Sequence, residues 1–126
     1  MHSTENRPVF LNLLRIRQPV TAVVSILHRI SGVLMILSLP ALVYLLNLSL
    51  QSAAGFAQVT TLLQSVPMRL LGVGLCWLLA HHLLAGLRFM LLDFDVAISR
   101  SSARVTAWVV HIGAVTVAVL AFGVLF

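Results

Sequence analysis

Between Arg69 and Arg88 the chain reads LLGVGLCWLLAHHLLAGL, residues 70–87, eighteen positions without an acid, a lysine or an arginine. Wound as a helix at about 1.5 Å per residue, such a run approaches the roughly 30 Å needed to cross the hydrocarbon of a bilayer. The pattern continues on both sides. Arg29 and Arg69 bracket 39 uncharged residues, and Arg104 is followed by 22 more to Phe126. Over all 126 residues, 60% are hydrophobic and 9% charged, against about 25% charged in an ordinary soluble domain. A water-soluble fold of this size has too little polar surface to cover so much apolar side chain. The sequence therefore reads as an all-α integral membrane protein of three spans, with no polar stretch long enough for a soluble catalytic domain.

The formal charge of +5 comes from eight arginines, no lysine, and the acids Glu5, Asp93 and Asp95. Taken alone, such a balance suits nucleic acid. Its placement does not. Arg7, Arg15, Arg17 and Arg29 precede or enter the first span, and Arg88, Arg100 and Arg104 surround the connection between the second and third. The connection between the first and second spans holds Arg69 alone. By the positive-inside rule this bias puts the N-terminus and the second connection in the cytoplasm and the C-terminus outside, in the periplasm of a bacterial inner membrane. Membrane lipid, and no nucleic acid, is the expected surrounding. The lone Cys76 lies inside an apolar run, where it reads as a small hydrophobe.

Residues 1–20 contain two prolines and no long apolar run, and read as a cytoplasmic segment along the membrane surface, not as a secretory signal. Residues 21–126 form the anchor domain, with spans at about 21–50, 67–93 and 105–126. Pro40 predicts a kink within the first span. In the first connection, Phe56, Val59, Leu62, Leu63 and Val66 recur at helical spacing, which predicts a short helix at the membrane interface.

Ionisable side chains inside spans are costly and face a bundle interior, a cofactor or water. Here they are few. Ser25, His28 and Arg29 share one face near the start of span one, where a hydroxyl and a guanidinium can hydrogen-bond the carbonyls or carboxylates of an amphipathic ligand. The competing reading has Arg29 snorkel to the headgroups and Ser25 bond back to its own helix. His82 shares a stripe with Gly86, Phe89 and Asp93, so the imidazole is followed by a position with no side chain, a clearance that a flat cofactor needs. An imidazole in a helix bundle is the usual axial ligand of b-type haem, and it is equally able to join helices by hydrogen bonding. His82 lies roughly 16 Å from the cytoplasmic end of its span, whereas His28 and His111 lie roughly 10 Å in, which separates them in depth. His81 points away from His82 toward Arg88, and it and His111 read as helix-contact histidines. No GxGxxG, GxxxxGK[ST] or nucleophile–base pair occurs, so flavin, ATP and acyl chemistry have no support.

Two stretches resemble a known family. RPVFLNL (7–13) followed by TAVVSILHRISG (21–32) places Arg7, Pro8, Ser25, His28, Arg29 and Ser31, and HLLAGLRFMLLDF (82–94) places His82, Gly86, Arg88 and Asp93, in the order and spacing of the cytochrome b556 subunits that anchor succinate dehydrogenase, respiratory complex II, to the membrane. With the three-span layout the likeness runs from about Arg7 to the end of span three. The resemblance implies that His82 is the axial ligand of haem b, its opposite ligand coming from a second hydrophobic anchor subunit in a shared helix bundle. It further implies that His28 and Arg29 approach the haem propionates and that Ser25 and Arg29 bind ubiquinone. Iron–sulfur and flavoprotein subunits would complete the complex, which carries electrons from succinate oxidation in the tricarboxylic acid cycle to quinone. The family often has His where Phe89 stands, and Leu92 and Asp95 also depart from its usual residues. The alternatives are a fumarate reductase anchor and a structural membrane anchor without cofactor.

Overall fold

The computed structural model describes residues 16–126 and contains four helices: α1 (Val20–Gln51), α2 (Ala53–Gln64), α3 (Val66–Asp93) and α4 (Arg100–Leu125). Among the described residues there is no strand, and the fold is all-α as expected. The expected segment 1–20 lies mostly outside these residues; the part from 16 to 19 precedes α1 and is not helical. Three helices are long and apolar enough to cross a membrane, α1, α3 and α4.

Each helix starts and stops for a local reason. Pro19 stands in extended conformation at the head of α1, where a missing N–H costs nothing because the first turn has no acceptor for it. α1 continues unbroken through Pro40. At its end Ser52 turns fully extended, and its hydroxyl accepts from the Gly55 N–H at 3.0 Å, capping α2. Gly55 is buried at this corner because a Cβ there would collide with the Leu48 carbonyl oxygen. α2 is thus folded back against the end of α1, and at 12 residues it is far too short to cross. Its Val59 is buried while Phe56, Leu62 and Leu63 are exposed, so the helix predicted from their spacing is present. Ser65 precedes α3 and Pro67 occupies its first turn. After Asp93 the chain turns through Asp95 and Ala97, both at positive φ. Ser99 then caps α4 by accepting from the Ser102 N–H at 3.2 Å. The cap sets the helix start at Arg100, a turn ahead of the apolar run that begins at Val105.

The interior is narrow and made of small side chains. Val24, Ala85, Ala107 and Val110 form its centre, with Val20, Leu84 and Phe89 packed around them. In lipid there is no hydrophobic drive to bring helices together, so close approach over small residues supplies the contact energy. Ala114 and Ser31 are fully buried in the same way. The outer faces of α1 and α4 are almost wholly apolar and exposed, as Leu37, Val43, Ile112 and Val119 show. That surface is suited to acyl chains or to another membrane chain.

The α3–α4 pair is pinned at one end by Arg88. Its guanidinium is buried against α4, Nε donating to Thr106 Oγ1 at 3.1 Å and Nη2 to the Ala103 carbonyl at 3.2 Å. It also lies over the Phe89 ring, 5.5 Å from the centroid.

Candidate functional site

His28 of α1 and His82 of α3 meet face to face, their ring centroids 4.1 Å apart and their planes within 16°. The depths counted along each span had separated them. Such counting assumes that the helices end in one plane; α1 and α3 are instead staggered, and the two rings lie level. Ser31, one turn beyond His28, is fully buried at the same contact. Its hydroxyl donates to the His28 carbonyl at 2.8 Å. His82 Nδ1 lies 3.1 Å from Ser31 Oγ and 3.1 Å from that same carbonyl.

Two glycines permit this approach. A Cβ at Gly32 would lie 3.0 Å from His82 Cε1, so any larger residue would push the imidazole off α1. A Cβ at Gly86 would lie 3.5 Å from His28 Nε2. The clearance expected beside Gly86 is therefore filled by the His28 ring, which also meets the edge of Phe89 at 5.3 Å.

His82 Nε2 has a different situation. Among the described residues it makes no hydrogen bond. Among the described residues, the fully buried side-chain nitrogens without a partner belong to His81, whereas His82 is only half-buried. The imidazole is held at one nitrogen and free at the other.

Ser25 and Arg29 lie on α1 on the N-terminal side of this contact, Ser25 half-buried and Arg29 exposed. Ser31, Ser38 and Ser49 each bond back to the carbonyl three residues earlier, at 2.7–2.8 Å. Ser25 makes no such bond among the described residues, so the back-bonding that competes with a ligand role is not taken.

The other histidines form a second contact at a different helix pair. His81 is fully buried, 5.3 Å from Trp77 and 5.4 Å from His111 of α4 between ring centroids. His111 in turn meets the edge of Trp108 at 6.1 Å. Both are helix-contact histidines, as their positions in the sequence imply, although His81 meets α4 by way of His111 while Arg88 goes separately to Thr106 and Ala103. The sequence assigned no role to Ser31 and set Arg88 on the side of His81, whereas its partners are Thr106 and Ala103 of α4. A polar signal existed at Thr106, the hydroxyl of α4 that faces α3, but helix register was needed to use it. No group of three or more metal-ligating side chains occurs among the described residues.

Comparison with known proteins adds the family. The family described as succinate dehydrogenase/fumarate reductase transmembrane subunit matches residues 3–122. The chain belongs to this family. It is 34% identical over 119 residues to the succinate dehydrogenase cytochrome b556 subunit of Coxiella burnetii (strain RSA 493 / Nine Mile phase I), covering 91% of this chain and 93% of the relative. It is 30% identical over 121 residues to the subunit of the same name from Paracoccus denitrificans, covering 96% of this chain and 93% of that one. As a family member with three apolar helices, the chain is a multi-pass transmembrane anchor subunit.

Proposed function

We propose that this anchor binds haem b jointly with a second hydrophobic anchor subunit, contributes to a ubiquinone pocket, and passes electrons from succinate oxidation on companion chains to quinone. The observation that carries the reading is the half-buried His82 ring, steadied at Nδ1 by α1 while Nε2 makes no hydrogen bond among the described residues. A ring nitrogen left without such a bond suits a cofactor shared with a neighbour. His28 would not be a second ligand: its ring is stacked parallel on that of His82, so the two imidazoles cannot hold one iron between them, and the neighbour would supply the other. Haem, when bound, supplies a one-electron carrier.

His82 would hold the iron, and His28 and Arg29 would hold the propionates, to which a guanidinium gives charge-assisted hydrogen bonds. Ser25 and Arg29 hold the quinone headgroup at the cytoplasmic boundary while its tail remains in lipid. The Ser25 hydroxyl, with no partner among the described residues, is available to donate to a quinone carbonyl, and Arg29 favours negative charge that gathers on that oxygen. Flavoprotein and iron–sulfur subunits dock on the cytoplasmic face.

Purification from membranes in mild detergent tests the whole reading. The expected result is co-purification of a second anchor, an iron–sulfur protein and a flavoprotein, with b-type bands in the reduced-minus-oxidised spectrum. A complete complex without those bands would identify a cofactor-free anchor instead.

The orientation has its own test. Seven of the eight arginines lie in the N-terminal segment, in the first half of α1, or in α3 and α4 flanking their connection, so a reporter fused after Phe126 should be exported and one fused after Ser101 should remain cytoplasmic. The reverse pair would put Ser25 and Arg29 on the wrong side for electrons arriving from the cytoplasm.

A further inference from the structure

We propose that Ser31 is a positioning residue that, together with the His28 carbonyl, fixes the tautomer of His82, keeping the proton on Nδ1 and leaving Nε2 as a lone-pair donor. The inference rests on the haem reading of His82, and it concerns what makes that imidazole a ligand. An imidazole that is to bind metal must be neutral with the proton on the nitrogen away from the metal, and the hydrogen bond made by that far nitrogen decides this.

The two atoms facing His82 Nδ1 leave it one option. The His28 carbonyl oxygen, 3.1 Å away, can only accept. Ser31 Oγ, also 3.1 Å away, has a single hydrogen, and that hydrogen is committed to the His28 carbonyl at 2.8 Å. With its donor used, the hydroxyl presents lone pairs to the ring. Both neighbours of Nδ1 are therefore acceptors, and Nδ1 must carry the hydrogen. Were the proton on Nε2 instead, the Ser31 hydroxyl would have to give up its bond to the His28 carbonyl to donate to Nδ1, and that carbonyl would still face the bare nitrogen, an arrangement that costs free energy.

Ser31 is well placed to enforce this. It is fully buried, so water does not compete for Nδ1 through it. Its back-bond fixes the hydroxyl rotor, which would otherwise be free to turn its hydrogen toward the ring. Gly32 beside it admits the imidazole to within contact of α1. The serine lies a turn beyond the residues assigned to the propionates and the quinone, and its chemistry is separate from theirs.

The test uses the purified complex carrying Ser31→Ala, with Ser38→Ala as the reference. Ser38 makes the same back-bond, to the Met35 carbonyl at 2.7 Å, with no histidine attached. A merely structural serine would make the two variants alike. A hydrogen-bonded Nδ1–H makes the ring a more basic ligand and favours oxidised iron, so Ser31→Ala should raise the haem midpoint potential. It should also speed transfer of haem from the complex to apomyoglobin by about tenfold or more, the scale on which partners of ligating histidines act. Ser38→Ala should change neither. Ser31→Cys, of similar size and with a weaker acceptor, should fall between wild type and alanine, and it decides the matter if the alanine complex does not assemble. A potential and a transfer rate in Ser31→Ala equal to those of Ser38→Ala would overturn the role of Ser31. Full haem occupancy in His82→Leu would overturn the haem reading itself, so the two failures are distinguishable.

Discussion

His82→Leu should abolish the b-type absorbance of the assembled complex, while His111→Leu should leave it largely intact. Leucine has comparable bulk and helix propensity, so α3 and its packing survive the change. What disappears is the one imidazole among the described residues with one nitrogen held by α1 and the other making no hydrogen bond there. No other histidine among the described residues can substitute. His28 lies flat on the same ring face at 4.1 Å, and His81 is sealed in with both nitrogens buried. His111 belongs to the contact with His81 and the tryptophans on the other helix pair. The measurement is haem per complex with a reduced-minus-oxidised spectrum. Unchanged occupancy and an unchanged spectrum in His82→Leu would defeat the assignment, and equal losses in both variants would point to failed assembly.

Ser25→Ala should lower quinone reduction by about tenfold or more while succinate oxidation by an artificial dye that accepts electrons upstream stays near normal. A hydrogen bond to a group gaining charge is worth roughly 1.5 to 3 kcal/mol, and about 1.4 kcal/mol is a factor of ten in rate. The alanine removes a hydroxyl that supports nothing in the described fold, since Ser25 lacks the back-bond made by Ser31, Ser38 and Ser49. Any loss thus reports on a ligand and not on helix integrity. Arg29→Leu should act in the same direction and also disturb the haem. An unchanged quinone reductase rate in Ser25→Ala would remove that residue from the pocket; a parallel fall in the dye assay would mean that the complex had not assembled.

The spans could be read from the chain because membrane insertion depends on one-dimensional quantities, the lengths of uncharged runs between Arg29, Arg69, Arg88 and Arg104. The short α2 was legible for the same reason, from the spacing of Phe56, Val59, Leu62 and Leu63. Contacts between helices were not. Whether His28 stands level with His82 depends on how far α1 slides along α3, which is set by the fit of Val24, Ser31 and Gly32 against Ala85 and the imidazole. No periodicity along either helix encodes that slide. Arg88 illustrates the same limit: its i+7 relation to His81 was visible, but the hydroxyl that receives it, Thr106, lies eighteen residues on. The family resemblance marked Ser25, His28, Arg29 and His82. It placed Ser31 in the same motif without giving it work, and only the distances to His82 Nδ1 suggest what that work is.

The two seams of this bundle differ in kind. α3 and α4 are joined by a short connection and by a guanidinium that grips both a hydroxyl and a main-chain carbonyl of its neighbour, a joint that resists sliding and twisting together. α1 meets α3 through two flat rings, a serine and a glycine, a joint keyed by one imidazole and not clamped by a guanidinium. Mechanically the molecule is a clamped hairpin with a third wall keyed to it at the level of His82. Any strain that a neighbouring chain puts on α1 then converges on Ser31 and His82, while the Arg88 clamp ties α3 to α4 behind them.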